Sequence, residues 1–158
     1  MSYKPEQLPD LLRTLERAKQ RFDGAEGAML RLDVSQGEID NNYEGVVNAI
    51  NFIVQAYVLG TTGIQRKFGE AEASTKIESV LSTLGQQHIS NLPSAKRLRA
   101  ANARRNESGH EGSMRGEIDT DEVEAAIHDG RLFMDAVIRD LRRRKVLPSA
   151  KVENHGQA

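Results

Sequence analysis

Two residue types with complementary chemistry lie five positions apart in a basic stretch: Arg105 and His110, in Arg105-Asn106-Glu107-Ser108-Gly109-His110. Arginine stays charged at physiological pH and can hold two phosphate oxygens at once. Histidine titrates near pH ~6.5, so it can take or give a proton at neutrality. The surrounding residues add to the positive field. Lys96, Arg97, Arg99, Arg104 and Arg105 against Glu107 give residues 94–110 a formal charge of +4. The whole chain carries −1, so the rest carries −5 by difference. Positive charge concentrated on an otherwise acidic protein points to a polyanion or an acidic partner.

The backbone must bring the pair together. In an unbroken helix, residues five apart sit about 140° apart around the axis. Arg105 and His110 would then face different ways. Gly109 lies between them, and glycine readily adopts the left-handed angles that end a helix. A helix breaking there swings His110 back toward Arg105. The alternative is a solvated helix end with Gly109 as an ordinary cap.

The chain has 158 residues, enough for one domain with a sizeable core. It has no cysteine, so neither a disulfide framework nor a thiolate metal site is available. Aromatic residues are 4% with no Trp, which argues against a base-stacking platform. The N-terminal residues lack an apolar leader core and read as mature cytoplasmic sequence. No uninterrupted apolar run approaches the ~18 residues of a membrane span.

The pattern of apolar residues predicts five helices. Leu8, Leu11, Leu12, Leu15, Ala18 and Phe22 form one stripe over residues 5–23. Gly24 and Gly27 weaken its continuation, while Ala25, Ala28, Met29 and Leu32 favour it. Residues 38–60 are apolar nearly all round, which predicts a helix buried on several sides. Its one polar stripe holds Asn41, Glu44, Asn48, Asn51 and Gln55 at helical spacing. This stripe either meets water or lines a cleft, with Asn48, Asn51 and Gln55 as the candidate lining. Residues 70–84 predict a third helix, ended by Gly85. Ser94 caps a fourth. Asp119 and Glu122 approximate a capping box for the last helix, near residues 120–145. The basic run Arg142–Lys145 complements that helix's dipole. Residues 1–147 read as one all-α, up-and-down bundle, and residues 148–158 as a disordered tail.

With those elements in place, Arg105-Asn106-x-x-x-His110 resembles the signature of the HEPN superfamily: an arginine, a polar residue, a spacer and a histidine. HEPN domains are helical bundles with this motif just before the final long helix. The resemblance covers roughly residues 38–145 in architecture and six residues in motif. Where some HEPN toxins carry a tyrosine two residues after the histidine, this chain has Gly112.

The resemblance implies a homodimer whose two motifs face each other. It implies a metal-independent endoribonuclease with no cofactor, of the kind found among toxins and phage-defence effectors. A cognate antitoxin or defence-system partner is implied for such proteins. Arg105 and His110 match the catalytic positions and Asn106 the polar one. RNA supplies its own nucleophile, the 2′-OH. Histidine would move its proton, and arginine would stabilise the charge developing on phosphorus. A two-fold dimer would provide both an acid and a base. The products would carry 2′,3′-cyclic phosphate and 5′-OH ends. Lys96, Arg97, Arg99 and Arg104 would follow the RNA backbone without reading sequence.

Competing readings stay open. One is a non-catalytic HEPN-like module that binds a nucleotide, RNA or a protein. A helix-turn-helix over residues 61–85 is disfavoured, because its helix pairs only Lys76 with Glu70, Glu72 and Glu78. His88, His128 and His155 lack partners at ligand spacing and read as surface residues. His110-Glu111 is no zinc-protease signature, since residue 114 is Met.

Overall fold

The computed structural model describes residues 2–108 and 117–149, the side chains of residues 105–108 excepted. A short 3-10 turn, Pro5–Gln7, leads into α1 (Leu8–Met29). It is followed by α2 (Gln36–Thr62), α3 (Glu70–Gln86), α4 (Ala95–Ser108) and α5 (Thr120–Arg143). The expected all-α bundle of five helices is the fold, and no strand occurs among the described residues.

α1 runs past its two glycines because its buried face does not stop there. Ala25 and Met29 continue the stripe of Leu11, Leu15, Ala18 and Phe22. Gly24 and Gly27 have no neighbour within 4 Å of where a Cβ would stand, so they lie on the open side. Each glycine costs about 1 kcal/mol of helix propensity, which continued burial outweighs.

α2 is the centre of the bundle and packs against all four other helices. Ser35 caps it by accepting a hydrogen bond from the Glu38 amide at 3.2 Å. By length and composition it is also apolar enough to cross a bilayer. Here its apolar surface is covered by α1, α3, α4 and α5.

The direction of travel departs from strict alternation. Gln7 Nε2 donates to the Gly63 carbonyl at 2.9 Å, so α1 begins where α2 ends. Gln36 Nε2 donates to the Ile118 carbonyl at 2.8 Å, and the Tyr57 hydroxyl donates to Asp140 at 2.7 Å. α2 and α5 therefore run parallel. Asn102 of α4 meets Glu70 and Ser74, while Arg99 meets Glu78, so α3 and α4 run antiparallel. Arg97 meets Asp129 and Arg104 meets Glu122, which sets α4 antiparallel to α5. α2 and α3 thus point the same way, and residues 63–69 carry the chain back between them. Seven extended residues reach roughly 24 Å, which matches the ~25 Å rise of a helix as long as α3.

Two glycines make this geometry possible. Gly63 ends α2 with φ +77°, its amide donating to the Leu59 carbonyl at 2.8 Å. A Cβ there would collide with the Ser2 backbone. Gly130 lets α5 approach α1, because a Cβ would run into the Phe22 ring.

Candidate functional site

α4 is the helix that carries the first half of the motif. Ser94 caps it, as expected, by accepting from the Arg97 amide at 3.2 Å. Leu98, Ala101, Asn102 and Arg104 form its buried face. Asn102 donates to the Glu70 carbonyl at 3.0 Å and to Ser74 Oγ at 2.8 Å, which fixes the start of α3. Its Oδ1 is buried with no hydrogen-bond partner.

The cations expected to follow an RNA backbone are mostly engaged within the fold. Arg97 reaches Asp129 with both prongs, Nε to Oδ2 at 2.9 Å and Nη2 to Oδ1 at 3.1 Å. Arg99 reaches Glu78 at 2.6 Å. Arg104 is only 6% exposed and contacts Glu122 at 3.1 Å. In this arrangement Arg104 is a strut between α4 and α5, not an open phosphate contact. Lys96 is exposed and makes no ion pair among the described residues.

The far side of the strut is equally well built. Asp119 Oδ1 accepts from the Glu122 amide at 2.8 Å, and Glu122 Oε2 accepts from the Asp119 amide at 3.0 Å. The capping box read from the sequence is therefore present. Glu122 serves both the cap and Arg104. This joins the end of α4 to the start of α5 across the connection.

Arg105 and Asn106 occupy the last turns of α4. Their side chains, His110 and the bend expected at Gly109 lie outside the described residues. Asn48, Asn51 and Gln55 are half-buried on α2 and do not line the pocket between α4 and α5. Asn51 Oδ1 is buried without a partner.

That pocket encloses about 210 Å³. Ala100, Ala101, Ala125 and Ala126 line it, with the Arg97–Asp129 pair and the Arg104–Glu122 pair also on its walls. Tyr43 of α2 completes it. Tyr43 is 4% exposed, yet its hydroxyl makes no hydrogen bond to any described residue. Burial, and then the nearby Glu122 carboxylate, push its hydroxyl up to about 12. It therefore keeps its proton at neutral pH and can donate it in a hydrogen bond.

Sequence reasoning did not single out Tyr43 or Asp129. A signal existed for Asp129: it falls in register with Ala126, Phe133 and Val137 on the apolar face of α5. A carboxylate at a core position needs a partner.

No protein family, curated protein or solved structure matches this chain.

Proposed function

We propose that this protein is a metal-independent endoribonuclease of the HEPN kind, acting as a homodimer. One observation carries the reading. Arg105 and Asn106 end α4, His110 falls in the connection to the last long helix, and the Arg104–Glu122 contact ties the two sides of that connection. The RNA 2′-OH attacks the adjacent phosphorus while a histidine removes its proton. Arg105 stabilises the charge on the phosphoryl oxygens. The second protomer's histidine protonates the leaving 5′ oxygen. Asn106 orients the histidine or the phosphate. A role as a toxin or phage-defence effector, with an antitoxin or defence-system partner, follows from the same resemblance.

The test is cleavage of RNA in EDTA by the purified protein. Wild type should leave 2′,3′-cyclic phosphate and 5′-OH ends. Arg105→Ala and His110→Ala should each abolish cutting. Equal cleavage by wild type and His110→Ala, or none by either, overturns the reading.

A second reading draws on the paired cations. With Arg97, Arg99 and Arg104 already held by carboxylates, α4 offers less free charge than its composition implies. This favours a non-catalytic module that binds a nucleotide, RNA or a protein partner. Binding of RNA without cleavage would select it.

A further inference from the structure

We propose that the pocket between α4 and α5 is a guanine-selective nucleotide subsite, with Asp129 reading the base and Arg97 moving out to the phosphate. The inference deepens the ribonuclease reading, since it names the base that would sit beside the motif.

The geometry around Asp129 is the starting point. Its carboxylate is nine-tenths buried on α5, and Arg97 is its partner. Arg97 offers two adjacent N–H groups in one plane, one to each carboxylate oxygen. Guanine offers the same two-donor edge through N1–H and the N2 amino group. Adenine and cytosine present a donor beside an acceptor on that edge, and uracil has a donor between two acceptors. Among the four bases, only guanine can take Arg97's place without leaving a carboxylate oxygen unpaired.

The exchange is feasible because the two partners differ in burial. The Arg97 side chain is 63% exposed, while that of Asp129 is 7% exposed. The Arg97 side chain faces solvent and swings outward as both of its bonds to Asp129 are replaced. A nucleotide brings its own replacement partner, because phosphate accepts the arginine fork as readily as carboxylate does. Both pairs are exchanged and neither is lost.

The rest of the pocket fits a planar ring. Alanine methyl groups line it and leave room for one. The Tyr43 hydroxyl, on the pocket wall and without a partner among the described residues, is a spare donor for a ring or ribose oxygen. Along α4, Arg97 lies eight residues before Arg105, about 12 Å by helical rise. One short oligonucleotide can span both positions.

The test is calorimetric titration of the wild-type protein with guanosine, inosine and adenosine 3′-monophosphates. None contains a cleavable internucleotide bond, so binding is read apart from catalysis. Guanosine monophosphate should bind at least about tenfold tighter than adenosine monophosphate, as expected for one bidentate contact. Inosine monophosphate, lacking the N2 amino group, should fall between them. Asp129→Asn should remove the preference. Should that variant fail to fold, Ala100→Leu, at an exposed position lining the pocket, should weaken all three. Equal affinity for the three nucleotides, no binding of any, or a guanine preference unchanged in Asp129→Asn overturns the proposal. So does binding of N-acetylarginine amide, an arginine side chain from a protein, in place of guanosine monophosphate. Guanine selectivity without RNA cleavage would sink the ribonuclease reading and leave the subsite standing. Cleavage with no guanine selectivity would do the reverse.

Discussion

Asp129 and Asp140 make an instructive pair. Both are carboxylates on the buried face of α5, eleven residues apart, and each sits near a buried tyrosine of α2. Asp140 is 0% exposed and fully served. Tyr57 donates to it at 2.7 Å, Arg144 at 2.8 Å and Arg143 at 3.0 Å. Burial alone would raise its pKa. The hydrogen bonds from Arg144, Tyr57 and Arg143 outweigh that and hold the carboxyl below its usual range. Burial and the bond to Asp140 push Tyr57 up to about 12. Asp129, by contrast, has one exposed arginine, and Tyr43 nearby has no hydrogen-bond partner among the described residues. A closed polar network fixes structure, whereas an incomplete one leaves capacity for a ligand.

Four measurements bear on this contrast. The largest effect is expected at Asp140. Asp140→Ala should cost about 3 kcal/mol, near the low end for breaking a buried pair, because its arginines can return to water. For a chain of this length that corresponds to a Tm drop of roughly 6–12 °C by calorimetry. An unchanged Tm would erase the difference between the two acids.

The tyrosines should separate next. Tyr57→Phe removes a hydrogen bond to a charged group and should cost about 1.5–2 kcal/mol in urea unfolding. Tyr43→Phe should cost under about 0.5 kcal/mol, since its hydroxyl bonds to no described residue. Equal losses would mean that Tyr43 is as structural as Tyr57.

The third prediction concerns pH. The Asp140 carboxyl is held low in the folded state, so its contribution is fully present above the unfolded value near pH ~3.9. It is lost as pH falls through the lower folded value. Urea midpoints of wild type and Asp140→Asn should converge in that acid window and stay apart at neutrality. Asp129→Asn should show a smaller gap at every pH. The smallest effect belongs to Arg99→Ala, a surface pair with Glu78, expected below about 0.5 kcal/mol.

Much of the fold was legible because local signals and packing agreed. Ser94, Asp119 and Glu122 cap the helices they were expected to cap. The helix apolar on nearly every side is the one at the centre. The crossover at residues 63–69 was not legible. Hydrophobic period tells which face of a helix is buried, but says nothing about which way the helix points. The basic run Arg142–Lys145 shows the same limit from another side. Its sequence position suggests a dipole complement, yet Arg143 and Arg144 are spent on Asp140. Charge counts along α4 misled similarly, since their balancing carboxylates lie on α3 and α5, far away in sequence. The motif at Arg105 and His110 was visible as residue types alone.

Parallel α2 and α5 give the molecule a polarity. Ser2 lies against the end of α2, and the turn after α5 closes beside it through Leu141. The last turn of α4 stands at the opposite pole, roughly 36 Å away by the rise of a helix as long as α5. A protein anchored to a sensor surface through its first described residues would hold the end of α4 and the start of α5 toward the solution.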